Sequence, residues 1–408
     1  MKTKIKIALF DQKNNVGGGE RYTQKILSGF SKKSQYLEID YLGFESQIKK
    51  NRFVSKFSKI NFLNLKSLEL REKGILKIYK SNKIISTLQD RLKDYTSYLP
   101  SYISGNLKKE MENRLNRYDV VLFLWPYFLD YPDIKARKII ILHDLNFKYY
   151  FSGQSTFDKK RVSFLNKSLE KWIKHSDIVV TSNFMKQEFK KFYPNFSNNL
   201  RVIRMGSFSN SRIKKNSNYK FLNYPFILCP SSTVGHKNIS SLIRAFKFIK
   251  KYKKNVKLVF TGPGTDILNG IEQDDYLKFQ DQNISIFGLG YISNSEIDFL
   301  IKKAAVVVNC SLYEPGNGSG LDAWKLGTPV AMSNIPAFKE HLNYLGVRAE
   351  LFDPLSPKDI SKKIIKILKM NKNTKKRGIQ ESKLKMKIID WDLLIKDYIK
   401  SVSYTHLR

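Results

Sequence analysis

One stretch constrains this chain more than any other. Residues 304–310, AAVVVNC, are short, apolar and β-branched, and polar residues follow them. That pattern predicts a buried strand of a parallel sheet. Residues 315–320, PGNGSG, form a loop whose glycines leave the backbone open to close approach. Residues 321–326, LDAWKL, predict a short helix that stops at Gly327. Strand, glycine-rich loop and helix start together aim backbone N–H groups at an anion such as a phosphate. Two carboxylates frame the loop, Glu314 before it and Asp322 inside the helix, with seven residues between.

The same grammar recurs along the chain. KIKIALF (4–10) predicts a first strand, and Gly17-Gly18-Gly19-Glu20 opens a helix carrying Tyr22, Ile26, Leu27 and Phe30. The glycines do not follow G-x-G-x-x-G, so a dinucleotide fingerprint is weakly supported. Glu20 reads as a helix cap. YDVVLF (118–123) and KIIIL (138–142) predict two further strands, the second running into His143-Asp144-Leu145. Ligands sit at the carboxyl ends of strands in an open parallel sheet, which aims His143 at a cleft. FILCP (226–230) leads through Ser232 to His236-Lys237-Asn238 and a helix whose apolar face holds Ile239, Leu242, Ile243, Phe246 and Ile249. Lys237 stands where helix N–H groups and a cation jointly favour a diphosphate. KLVF (257–260) ends in Gly262-Pro263-Gly264, and a strand over 284–287 ends before Gly288-Leu289-Gly290-Tyr291.

Composition excludes several classes. The 408 residues suggest two to three domains, and 42% hydrophobic residues place the chain among globular proteins. The two cysteines, Cys229 and Cys310, end apolar strands and read as buried thiols of a reduced protein. The longest apolar run, 120–129, is far below membrane-spanning length. The N-terminal apolar run is too short for a signal peptide. The net charge of +37 favours anionic partners. It is spread along the chain without a recognisable nucleic-acid motif, and an AT-rich coding bias explains it equally well. Residues 46–118 are lysine-rich and predict short basic helices, either a solvated variable face or a surface for an anionic membrane or lipid-linked acceptor. Asp390-Trp391-Asp392 reads as the capped start of a last helix.

Five segments in this order, GGGE, HDL, HKN, GPG and E-x7-D, resemble retaining glycosyltransferases of family four. The resemblance implies an α/β chain of the GT-B type, two Rossmann-like domains facing each other across a cleft. It implies a first domain over 1–205 with a basic variable region at 46–118. A nucleotide-sugar-binding domain follows over 206–385, and a helix over 386–402 returns to the first domain. SYTHLR (403–408) resembles a cloning remnant. The implied catalytic residues are His143 and Glu314, beside the donor sugar. The implied donor contacts are Gly18, Gly19, Lys237, Gly262, Gly264, Tyr291 against the base, Asn317, Gly318, Ser319, Gly320, Leu321, and Asp322 on the ribose. No cofactor and no metal are implied. Two departures stand out. Ser232 replaces a frequent arginine, with His236 a substitute cation, and Asp322 replaces a glutamate that is one methylene longer.

The reaction so implied is retaining transfer of a sugar, mannose or a similar hexose, from a nucleotide-sugar. The acceptor would be a glycan or lipid-linked molecule in surface polysaccharide or lipopolysaccharide assembly, at the cytoplasmic, inner face of the plasma membrane. Nucleic acid is not an expected partner. A catalytically weakened nucleotide-sugar-binding protein and a nucleotide-sugar epimerase of the same fold are the rivals. A donor-binding test with turnover separates the first, and product analysis the second.

Overall fold

The computed structural model describes residues 4–11, 18–32, 37–43, 61–64, 105–125, 131–149, 159–209, 219–268 and 285–403. In chain order the first half holds β1 (Ile5–Phe10), α1 (Gly18–Ser31), β2 (Leu37–Gly43), β3 (Asn61–Asn64), α2 (Gly105–Leu115), β4 (Val120–Phe123), β5 (Arg137–Leu142), α3 (Lys159–Lys174), β6 (Asp177–Val180), α4 (Asn183–Phe192) and β7 (Leu200–Val202). Its strands form one sheet in the order β3-β2-β1-β4-β5-β6-β7. Every pairing in it is parallel. The second half holds β8 (Phe226–Pro230), α5 (Ile239–Tyr252), β9 (Lys257–Thr261), β10 (Ile286–Gly288), α6 (Asn294–Lys303), β11 (Val306–Asn309), α7 (Gly318–Leu326), β12 (Val330–Ser333), α8 (Pro336–Leu345), β13 (Glu350–Phe352), α9 (Pro357–Lys369), α10 (Lys372–Lys385) and α11 (Trp391–Ser403). Its sheet runs β10-β9-β8-β11-β12-β13, again all parallel.

A parallel sheet covered by helices on both faces buries consecutive side chains on opposite sides. In β1, Ile7 and Leu9 join a core with α1, whereas Ala8 and Phe10 join another with α3. All of Val120–Phe123 in β4 is buried for the same reason. The second sheet splits likewise: Val307 lies with α6 and α7, and Val306 and Val308 lie with α5 and α9.

α11 belongs by sequence to the second half but packs on α1. Leu394, Ile395, Tyr398 and Val402 share the core of Tyr22 and Ile26. The approach is close enough that a Cβ on Gly29 would lie 2.1 Å from Ile395 Cγ1. Asp390 Oδ1 accepts the Asp392 N–H at 2.9 Å, a bond within the helix start.

The strands begin within two residues of their expected positions where apolar runs announced them. β2 and β13 were not foreseen. Of the basic segment 46–118, only β3 and residues 105–118 are described, so the membrane-facing reading lies largely outside the described residues. So do Gly17 and the tail beyond Ser403. Among the described residues no helix is long and apolar enough to cross a membrane.

Candidate functional site

A cavity of about 380 Å³ opens at the carboxyl ends of both sheets. Gly18 and Arg21 of α1 wall it from one domain, and Lys237, Glu314, Ser319 and Asp322 from the other. Among the described residues no group of three or more His, Cys, Asp or Glu side chains could hold a metal ion.

The glycine loop is built around a helix cap. Asn317 is fully buried and its Oδ1 accepts the Gly320 N–H at 3.1 Å, while its Nδ2 donates to Met332 Sδ at 3.1 Å. A Cβ on Gly320 would lie 2.3 Å from Asn317 Nδ2, so the cap needs glycine there. The Leu321 N–H begins the helical ladder on Asn317 O at 2.9 Å, and its side chain is in the core. Asn317, Gly320 and Leu321 therefore build the loop and lie outside the cavity wall, apart from their expected place as donor contacts. Gly318 and Ser319 wall the cavity, and their N–H groups have no hydrogen-bond partner among the described residues. They are the amides left to meet an anion.

Glu314 pairs with Lys237 at 2.5 Å and accepts Ser311 Oγ at 2.6 Å. Lys237 ends a turn that gives way to α5 through Asn238, whose φ of 52° is left-handed. Asn238 tolerates that region with its side chain held at both ends: Oδ1 accepts Ser241 Oγ–H at 2.8 Å locally, and Nδ2 donates to the distant Cys310 O at 3.2 Å and Pro354 O at 2.7 Å. His236 is buried, and burial with the neighbouring Lys237 pushes its pKa down to about 4, against a smaller upward pull from Glu314. It is neutral near pH 7, so it does not replace the cation absent at Ser232.

Asp322 is committed to the protein. Its Oδ1 accepts Ser207 Oγ at 2.7 Å, Phe208 N–H at 2.7 Å and Ser209 N–H at 2.9 Å. Its Oδ2 pairs with Arg21 Nη1 at 2.8 Å. Arg21 Nη2 pairs with buried Asp298 at 2.9 Å, and the guanidinium sits 5.6 Å from the Phe208 ring centre. Arg21 is the residue that motif reading missed; the available signal was a cation two positions after the last glycine of the run, at a helix start. Asp298 gave no signal, being one acid on an amphipathic helix.

The remaining candidates divide. Tyr291 is half-exposed on the cavity wall, and its hydroxyl donates across the cleft to Glu20 Oε2 at 3.2 Å. Glu20 thus reaches the opposite domain; the residues before α1 that a cap would involve lie outside the described ones. Gly262 walls the cavity at φ 135°, and a Cβ there would lie 2.8 Å from Ser231 O. Gly264 turns the chain at φ 81° behind it, and Gly19 is the second residue of α1; neither is in the cavity wall. His143 is outside the wall as well. It stacks on Trp125 with ring centres 3.7 Å apart, and its Nε2–H donates to Leu124 O at 2.8 Å.

Two parallel Rossmann-like sheets with a cleft at their carboxyl ends define the GT-B class. Within it, residues 210–384 match the family model described as Glycosyl transferases group 1. An uncharacterized glycosyltransferase of Methanocaldococcus jannaschii is 32% identical over 112 residues, 26% of this chain and 27% of that protein. Anabaena HepE, solved in complex with UDP-glucose, has a TM-score of 0.64 at 14% identity over 98% of this chain and 100% of its own. WaaG, a glycosyltransferase involved in lipopolysaccharide biosynthesis, has a TM-score of 0.64 at 11% identity over 98% of this chain and 99% of its own.

Proposed function

We propose that this protein is a retaining glycosyltransferase, moving a sugar from a nucleotide-sugar to a glycan or lipid-linked acceptor without a required metal. The observation that carries the reading is the Lys237–Glu314 pair beside the unpartnered Gly318 and Ser319 amides in a GT-B cleft. The transferase family match over the second domain and the UDP-glucose complex of HepE support it.

In this reading the bond between the anomeric carbon and the phosphate oxygen breaks, and the departing nucleoside diphosphate gains negative charge. The Lys237 ammonium and the two amides stabilise that charge where it develops. Glu314 grips the sugar hydroxyls as the ring becomes oxocarbenium-like. An acceptor hydroxyl oxygen bonds to the anomeric carbon on the face the phosphate left, and its proton passes to a phosphate oxygen. His143 has its Nε2–H on the Leu124 carbonyl and is given no step in this scheme. A hexose such as mannose, an acceptor in surface polysaccharide assembly and an anionic membrane surface complete the proposal; the net charge of +37 supports the last.

The test is a panel of UDP-, GDP-, dTDP- and ADP-sugars, scored for binding and slow hydrolysis. One donor should bind and turn over, and Glu314→Ala should remove turnover. Donor binding without turnover in the wild type would instead indicate a catalytically weakened binding protein.

A further inference from the structure

The carboxylate expected to hold the donor ribose, Asp322, is engaged on both oxygens. Its Oδ1 accepts from Ser207 Oγ and from the Phe208 and Ser209 N–H groups, which fills that oxygen, and its Oδ2 accepts from Arg21. Although Asp322 contributes to the cavity wall, its side chain is 2% exposed. Three of those donors lie on the segment between the two sheets, and the fourth lies on α1 of the first domain. Arg21 adds Asp298 of α6 as a second anchor in the second domain.

We infer that Asp322 and Arg21 form a clasp between the domains, and that the protein consequently reads the donor without interrogating the ribose hydroxyls. This rests on the donor-cleft reading above. The shorter aspartate follows from the same geometry. Overpacked side chains in a filled site force displacement, and a longer acid at 322 would push into the 207–209 segment that now sits 2.7–2.9 Å from its oxygens. The acceptable donors would then include those built on deoxyribose, such as thymidine diphosphate sugars. Asp322 and Arg21 are positioning residues in this scheme. They set the distance between the α1 start and the Gly318–Ser319 amides.

Two measurements on the full chain decide the matter. The first is titration calorimetry with UDP and GDP and with their 2′-deoxy and 3′-deoxy counterparts. A ribose hydroxyl bonded to a free carboxylate contributes about 1.5–3 kcal/mol, so its loss would weaken binding by roughly 10-fold or more. The expected result is a change below about 3-fold for either deoxy form of whichever base binds. A 10-fold loss overturns the inference. The second is small-angle scattering without ligand. Arg21→Ala and Asp322→Asn should enlarge the radius of gyration, while Lys32→Ala, which breaks only an exposed pair with Asp392, should not. Unchanged radii for both clasp variants overturn the clasp. If none of the nucleotides binds, the transferase reading and the ribose claim fall together, and scattering still decides the clasp.

Discussion

The two carboxylates that frame the glycine loop live in different surroundings. Glu314 has two partners, a lysine and a serine, both beside it on the cavity wall or loop. Its charge is balanced by a cation that can turn to another anion. Asp322 has four donors from two other parts of the chain and is sealed beneath them. One end of the loop is therefore free to do chemistry, and the other holds the domains in place. The difference teaches that spacing identifies where acids fall but not what they are free to touch. A carboxylate's role follows from its unfilled lone pairs, and these depend on partners far along the chain.

The largest effect should appear at the open end. Glu314→Ala should lower donor turnover by on the order of 1,000-fold, comparable to removing a key transition-state contact, with a small change in melting temperature. Steady-state hydrolysis and thermal melting check both parts. A loss of stability without a loss of turnover would erase the distinction between the two ends.

Asp322→Ala should do the opposite. It leaves the buried Phe208 and Ser209 N–H groups without an acceptor and takes one of Arg21's two carboxylates, Asp298 being the other, which together costs about 3–5 kcal/mol. For domains of this size that is a fall in melting temperature of about 10 °C. A melting curve within about 2 °C of wild type would show that the sealed end is not structural.

Acid should weaken the cleft from the histidines behind it. His236 and His341 are both buried, and burial lowers each from the ordinary 6.5 to about 4. His341 lies against the loop, since a Cβ on Gly316 would be 3.7 Å from its Nε2. Between these values the unfolded chain binds protons that the folded chain refuses. Stability is then full above about pH 6.5 and declines as pH falls toward 4, by at most about 3 kcal/mol per pH unit for the pair. Denaturant melts at pH 7 and pH 5 should show the loss, and a His236→Asn, His341→Asn double variant should show less of it.

Smallest is the effect of Gly262→Ala. At φ 135°, with Ser231 O 2.8 Å from the added Cβ, it should cost about 1–3 kcal/mol of strain. Because Gly262 faces the cavity, donor affinity should fall along with the melting temperature. A drop in stability alone would move Gly262 to the structural side of the comparison.

Much of the fold was legible because its signals are local. Apolar runs such as IIIL in β5 or AAVVV before β11 are too short for helices and too apolar for surface strands, so they read as parallel sheet. Lys237 and Glu314 were legible because each sits in the loop that follows a strand end. β2 was overlooked although LEIDY alternates strictly, because that half-buried pattern is weaker than the fully apolar runs around it. The role of Asn317 was not legible, since an asparagine in a glycine loop reads equally as ligand or cap.

The sequence by itself determined the alternation of strands and helices, the glycine turns, and the lysine and glutamate beside the glycine loop. These depend on periodicity and on neighbours a few residues away. The helix after that loop, however, starts at Gly318, three residues before the predicted start. Only the tertiary structure decided that Asp322 is spent on residues 113–115 positions earlier and on Arg21 301 positions away. It also decided that His143 turns onto Trp125 and away from the cavity wall. Those outcomes depend on how two separately folded sheets meet. A lone pair is filled by whatever donor that meeting brings within 3 Å, and no local pattern records which one it will be.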